Sequence, residues 1–300
     1  MPITIQPQTD KRISVEEFID FVNREIDLET PESIATGAEM FYALAQDKDV
    51  VSEKLNARVV DYLSGGALMT NGPQSVVLGI GRGFFIRANI WLPLSSTTVL
   101  RSHEERLYSY GNTHDHNFSF MTVGYFGPGY TTDLYEYDVG TVKGHVGEVV
   151  DLKDLGRTDL PCGKVMVYRE KCDVHTQYPP ESLSISLNLM VTSPRSLAMD
   201  QYFFDAKKKC IIDMPEFASI HKRASIVALA GAVGNANTIE ILESLLKAAP
   251  CRRVREAALD GLAKLPVAEE GDKARLFELA ANDSDSLVRA RAHIYLQGMN

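Results

Sequence analysis

The chain lacks most of what would staple it, anchor it or tie it to a polyanion. It has four cysteines in 300 residues, Cys162, Cys172, Cys210 and Cys251, and no CxxC pair among them. That spacing argues against a structural zinc site or a dithiol redox pair. Reduced thiols and a cytoplasmic location are the expectation. No apolar run reaches the roughly 18 residues that cross a bilayer. The opening MPITIQPQTDKR has no apolar signal core, so neither a membrane nor export is expected. Positive charge is also scarce: Lys and Arg number 31 against 40 Asp and Glu, a formal net charge of −9. Such a chain repels phosphate backbones, which excludes nucleic acid as a default partner.

What is present falls into three regions. Residues 1–66 read as a helical segment packing on the β-rich region after it. Ser14-Val-Glu-Glu17 has the form of a capping box, in which hydroxyl and carboxylate each satisfy an orphan N–H. Phe18, Ile19, Val22 and Ile26 recur at helical spacing. Thr30-Pro31-Glu32 is a second start signal, with Ile34, Ala38, Phe41 and Leu44 on one face. A third helix is expected from Val50 to Leu63, stopped by Gly65-Gly66. Residues 67–210 carry short runs rich in Val, Ile, Tyr and Phe, punctuated by Gly, Pro and Thr, the pattern of a β-barrel or sandwich. SLSISLNLM (182–190) alternates apolar and polar residues as a half-buried strand does.

Residues 216–300 turn to Ala, Leu and Arg and contain a repeat. Lys222-Arg223 with Ile226 and Ala230, Val254-Arg255 with Ala258 and Leu262, and Val288-Arg289 with Ala292 and Leu296 superpose at spacings of 32 and 34. Weaker helices are expected at 238–248 and 272–281. This resembles HEAT-type repeats, a stack that buries a continuous core and offers a face to a protein partner or a second copy.

Of seven histidines, His221 and His293 have no partner in register within the repeats, and His103 and His145 stand among polar residues. His114-Asp115-His116 differs. Residues i and i+2 of a strand share a face, so an HxH pair sends two imidazoles into one space. Gly127-Pro-Gly129 would close a hairpin after the strand. His175 lies 59 residues beyond His116, where a barrel can return it to the pair. Three neutral imidazoles bind a divalent transition ion and leave positions open. The closely spaced glycines of GIGRGFF (79–85) lead into a strand rather than a helix and are no phosphate loop. Asp133, Glu136 and Asp138 read as a solvated strand face.

HDHNFSFMTVGYFGPG (114–129) resembles the first cupin motif, and VYREKCDVHTQYPPESLSISLNLM (167–190) the second. The Glu that usual cupins place shortly after HxH is absent. This points to the three-histidine branch, whose best-known members are the cysteine dioxygenase-like thiol dioxygenases. The resemblance, over roughly residues 75–195, implies a jelly-roll barrel, Fe(II) on His114, His116 and His175, and Arg87 gripping a substrate carboxylate. The implied fold class is mixed: N-terminal helices, a cupin β-barrel and C-terminal α-helical repeats.

Departures are visible. The family's crosslinked Cys and Tyr correspond to Met121 and Met190, and its Ser-x-His-x-Tyr run reads Ser186-Leu-Asn188-Leu-Met190. The function implied is a mononuclear non-haem iron oxygenase taking O2 and a small carboxylate-bearing substrate, amino-acid-like or thiol. Two alternatives stand beside it: an idle or ligand-sensing cupin whose repeats recruit a protein, and an O2-independent metal-dependent isomerase or decarboxylase.

Overall fold

The computed structural model describes residues 1–64, 74–215 and 219–299. It divides into two compact units. The first comprises residues 1–142, 149–193 and 201–213, and the second residues 143–148, 194–200 and 214–300. The boundaries expected at 66/67 and at 216 fall on residues outside those described. Two short segments expected within the strand region, 143–148 and 194–200, group with the C-terminal helices. Arginine chemistry explains this: Arg252 donates to the carbonyls of Lys143 and Gly144, and Arg252 and Arg253 both hold the Asp200 carboxylate.

The first unit opens with a strand, β1 (Ile3–Ile5), where only helices were expected. Four helices follow: α1 (Val15–Glu25), α2 (Pro31–Thr36), α3 (Ala38–Ala45) and α4 (Val50–Leu63). The capping box at Ser14 and Glu17 forms as read from the sequence. Gly65 and Gly66, read as the stop after α4, lie outside the described residues.

The strands then run β2 (Ser75–Gly81), β3 (Phe84–Trp91), β4 (Thr113–Asp115), β5 (Phe120–Phe126), β6 (Thr131–Glu136) and β7 (Lys153–Asp159). They continue as β8 (Val165–Tyr168), β9 (Asp173–Tyr178), β10 (Ser184–Val191), β11 (Phe203–Asp205) and β12 (Cys210–Asp213). One more helix, α5 (Thr98–Leu107), carries His103. The strands form two six-stranded sheets with antiparallel pairing, β1-β8-β5-β10-β3-β2 and β12-β11-β4-β9-β6-β7. Strands consecutive in sequence repeatedly fall in opposite sheets. The result is a cupin-like jelly roll with helices on its N-terminal side.

Two sequence readings are corrected here. Gly127 and Gly129, at φ +77° and +83°, make a tight turn, but β5 and β6 lie in different sheets, so the turn is a crossover and not a hairpin. The alternation in β10 is real, but neither face is solvated. Ile185, Leu187 and Leu189 join a core with Phe18, Val22 and Phe41 of the helices. Ser184, Ser186 and Asn188, at 1%, 1% and 4% exposure, lie on the other face, which looks into the sandwich. Helices cover the outer face of this sheet, which frees its inner face to carry polar groups.

The second unit contains α6 (Ser219–Val233), α7 (Ala236–Ala248), α8 (Arg252–Lys264), α9 (Glu270–Ala280) and α10 (Ser286–Met299). Ala258, Leu262 and Ala292 are fully buried with Leu242, Leu259 and Leu276, and Leu296 packs partly against them. The first copy of the repeat departs from the pattern: Ile226 is exposed and Val227 packs inward instead. No described helix is long and apolar enough to cross a membrane.

Candidate metal centre

Strand parity sets the inner wall. On β3 the inward set is Phe85, Arg87, Asn89 and Trp91, because Phe84, Ile86 and Ala88 lie in the helix-side core while Phe85 and Trp91 lie in the inter-sheet cluster. On the opposite sheet, β4 presents His114 and β9 presents His175, directly paired across the ladder. His116 lies one residue beyond β4, where the chain crosses toward β5. The three histidines sequence reasoning singled out are therefore together. One ring nitrogen from each lies within 4.8 Å of the others, and no carboxylate or cysteine joins the cluster among the described residues.

The nitrogens that converge are the Nε2 atoms. His116 to His175 is 3.1 Å and His175 to His114 is 3.2 Å. Imidazole nitrogens bonded at roughly 2.0–2.1 Å to one divalent ion stand roughly 3.0–3.4 Å apart when they occupy adjacent positions. The donor set and spacing fit such an ion. His114 Nδ1 lies 2.9 Å from the Asn112 carbonyl, which can only accept. Nδ1 therefore carries the proton, and Nε2 keeps its lone pair. His116 and His175 have no such partner, and their Nδ1 atoms are buried without a hydrogen bond.

Aromatic rings position those two instead. Phe118 and Phe120 flank His116 at 4.9 Å each, and Tyr168 sits 4.9 Å from His175. Tyr168 stacks on Phe120 at 4.6 Å and an interplanar angle of 5°. Burial holds the imidazolium forms down. His116 and His175 lie well below the ordinary histidine range, through desolvation first and then repulsion from neighbouring rings. His114 is lowered by burial, partly opposed by the Asn112 carbonyl and Asp115. The site is thus set for neutral imidazoles at pH 7, the form that binds a metal.

The aspartate inside the motif is no ligand. Asp115 faces away, fully buried, and accepts from Tyr137 Oη (2.6 Å), Tyr202 N (2.6 Å) and Lys171 Nζ (2.5 Å). The Lys171 backbone N–H in turn donates to the His116 carbonyl at 2.8 Å. The pair ties β4, β11 and the turn before β9 together behind the histidines. Sequence reasoning gave Asp115 and Lys171 no role, and only a buried Asp between two candidate ligands could have signalled one.

Arg87 lies on the inner face, half-buried, and its charge is one of the influences that lower His116. Its Nε is buried without a partner, and no hydrogen bond or ion pair reaches the guanidinium among the described residues. Desolvation alone pulls its pKa down to about 10, so it remains a cation at neutral pH. Around it runs a polar ladder. Trp91 Nε1 donates to Ser186 Oγ (3.1 Å), Ser186 Oγ donates to Asn188 Oδ1 (3.1 Å), and Thr122 Oγ1 donates to the same oxygen (2.7 Å).

The match of Met121 and Met190 to the crosslinked pair does not survive the geometry. Met190 faces the inter-sheet cluster, but Met121 faces the helices, and Met190 is opposed by Phe120. Of the other sequence candidates, Asp133 turns outward to Arg157 and Tyr178, and Glu136 to Lys153 and Arg169. His145 and His293 are exposed.

Among protein families, HEAT repeats match residues 217–297. No curated protein matches the sequence. Among solved structures the chain is similar to a hydroquinone 1,2-dioxygenase from Sphingomonas with 4-hydroxybenzoate bound, at 12% identity over 42% of this chain and 70% of that one, TM-score 0.28. It is also similar to a salicylate 1,2-dioxygenase from Pseudaminobacter salicylatoxidans, at 9% identity over 47% and 32%, TM-score 0.25. A cupin domain from Bordetella pertussis is similar at 10% identity over 42% and 100%, TM-score 0.23. At these scores the chemical reading rests on the site's own residues.

Proposed function

We propose that the first unit is a mononuclear iron oxygenase that acts with O2 on a small carboxylate-bearing molecule. The observation that carries this reading is Arg87, a guanidinium on the inner wall with no counter-ion among the described residues, beside three converging imidazoles. A desolvated cation without a partner is costly, and a ligand carboxylate supplies what the protein withholds. His114, His116 and His175 hold the metal. Fe(II), when bound, supplies the one-electron chemistry that lets O2 react with a closed-shell substrate. Arg87 binds and orients the substrate through a two-pronged fork. Phe118, Phe120 and Tyr168 exclude water from the histidines and hold two of their rings in place. The helical unit's part is recognition of a protein partner or a second copy, as its HEAT-type stacking suits.

The test is metal analysis of the purified full chain together with oxygen uptake over a panel of amino acids and thiols. Iron at about one per chain and substrate-dependent oxygen consumption support the reading. A ligand-sensing role is the second reading. The observation favouring it is that Ser186, Asn188 and Thr122, near the places of the family's outer His and Tyr, bond to one another. Metal and carboxylate binding with no turnover would establish it, and turnover without oxygen uptake would establish an isomerase or decarboxylase.

A further inference from the structure

The inner wall holds a second unspent polar group. Asn89, on the same face of β3 as Arg87 and two residues further on, is 5% exposed, and its Oδ1 is buried with no hydrogen-bond partner. Neither of its cross-strand neighbours, Ser186 on β10 and Ser75 on β2, makes a hydrogen bond to it. The Ser186 hydroxyl, directly opposite in register, donates to Asn188 and accepts from Trp91. A carboxamide oxygen placed in a largely dry interior and left unpaired is rare in a native fold, and calls for a partner the protein does not contain.

The register orders the wall. His116 and His175 lie against Phe120 and Tyr168, which pair with each other across the ladder. Phe120 is level with Met190 and Phe85; Thr122, Asn188 and Arg87 form the next row; Gly124, Ser186 and Asn89 form the one after. Each row is two residues along the strand, about 6.6–6.8 Å. Leading away from the histidines, the wall therefore offers an unpaired cation and then an unpaired acceptor.

We propose that Asn89 is a specificity-determining residue: its Oδ1 accepts a hydrogen bond from a hydroxyl or amino group carried beside the ligand's carboxylate. This rests on the reading of Arg87 as the carboxylate's partner. The site then selects against a plain carboxylate of the same size, because such a ligand leaves Asn89 unpaired on closing the pocket. A site built to hydrogen-bond a group rejects the analogue that lacks it far more strongly than an apolar pocket rejects an extra methylene.

The test uses the metal-loaded full chain and three probes that differ only at the α-carbon: propionate, lactate and alanine. Binding is read by the fluorescence of Trp91, the one tryptophan, which lies on the same strand face as Asn89. The wild type is expected to bind lactate or alanine at least tenfold more tightly than propionate. Asn89→Leu should bring that ratio to about one, by weakening lactate and alanine and tightening propionate. Asn89→Asp, nearly isosteric and anionic, should raise the preference for alanine over lactate. A preference for lactate or alanine that persists in Asn89→Leu overturns the inference while the Arg87 reading stands. So does a wild-type ratio of one with propionate bound and lost in Arg87→Leu. If none of the three probes binds, the carboxylate reading falls and takes this inference with it.

Discussion

Lowering the pH of the metal-free chain from 6.5 to 5.0 should weaken the jelly-roll unit through its three central histidines. In the unfolded chain each imidazole takes up its proton near pH 6.5. In the folded chain burial depresses all three, and His116 and His175 well below that value. A base whose folded pKa is depressed leaves stability whole above the unfolded pKa. That stability is lost as pH falls below it, because only the unfolded state then binds the proton. Each imidazole that stays neutral contributes a slope that rises from about 0.7 kcal/mol per pH unit at pH 6.5 toward about 1.4 at pH 5.0, so His116 and His175 together approach about 2.7 kcal/mol per unit at the acid end. This is a large fraction of the 5–15 kcal/mol, roughly, that holds a typical domain together.

The window is largely clear of acids, because carboxylates such as Glu136, held to about 2 by the N-terminal amine, Lys153 and Arg169, lose their contribution mainly below about pH 5, as the unfolded groups take up protons around their pKa of about 4.3. Urea unfolding followed by Trp91 fluorescence reports this unit, since the only tryptophan lies in it. His175→Gln removes one titrating group and should lower the mean slope over this window by about 1.1 kcal/mol per pH unit. Equal slopes in wild type and variant between pH 6.5 and 5.0 would refute the placement of His175 as a buried, neutral ring.

Arg87→Met should raise the stability of the ligand-free unit, on the order of 1–2 kcal/mol, because it removes a desolvated charge that nothing neutralises. A lower urea midpoint instead would mean that the guanidinium has a protein partner. Asp115→Leu takes away the carboxylate that Lys171 is buried against and should cost about 3–5 kcal/mol and weaken metal binding; adding Lys171→Met should restore much of the loss in a double-mutant cycle. In the helical unit, a Cβ on Gly231 would meet Gly261 Cα at 2.1 Å, where α6 crosses α8. Gly231→Ala should therefore cost about 1–3 kcal/mol in a helical circular-dichroism transition, with the Trp91 unfolding curve unmoved.

The parts legible in the sequence share one property: a local period states them. The HxH pair needs only strand parity, and the capping box needs only a three-residue offset. The copies at Val254 and Val288 show their inward Ala and Leu at helical spacing, Leu296 only partly buried. His175 and Arg87 lie too far from HxH for any period to connect them; a barrel that could return His175 to the pair brought in the first, and only the resemblance brought in the second. What stayed hidden had no period to show. α5 buries none of its residues and carries no apolar stripe, and β7 reads KDLGRTD without apolar alternation. β1, β4 and β11 are three residues each, shorter than any alternation can mark. In β10 the period was plain but its sense was inverted, because alternation shows that two faces differ and not that the polar one meets solvent.

That inversion bears on what the inner wall can hold. This wall gives up apolar burial to Arg87, Asn89, Thr122, Ser186 and Asn188, while the same strands turn aliphatic residues toward the helices. The charge balance follows from the residues that face inward. Three neutral imidazoles contribute no charge, a bound divalent ion adds two positive charges and Arg87 one more. The histidine cluster includes no carboxylate among the described residues. Asp115, adjacent in sequence, is turned away and engaged by Lys171. In a medium of low dielectric such an excess is costly unless a ligand offsets it. One carboxylate on Arg87 leaves the ion's two charges uncompensated. On the reading proposed for Arg87, a ligand with a second acidic group offsets more of that charge than a simple monoacid does.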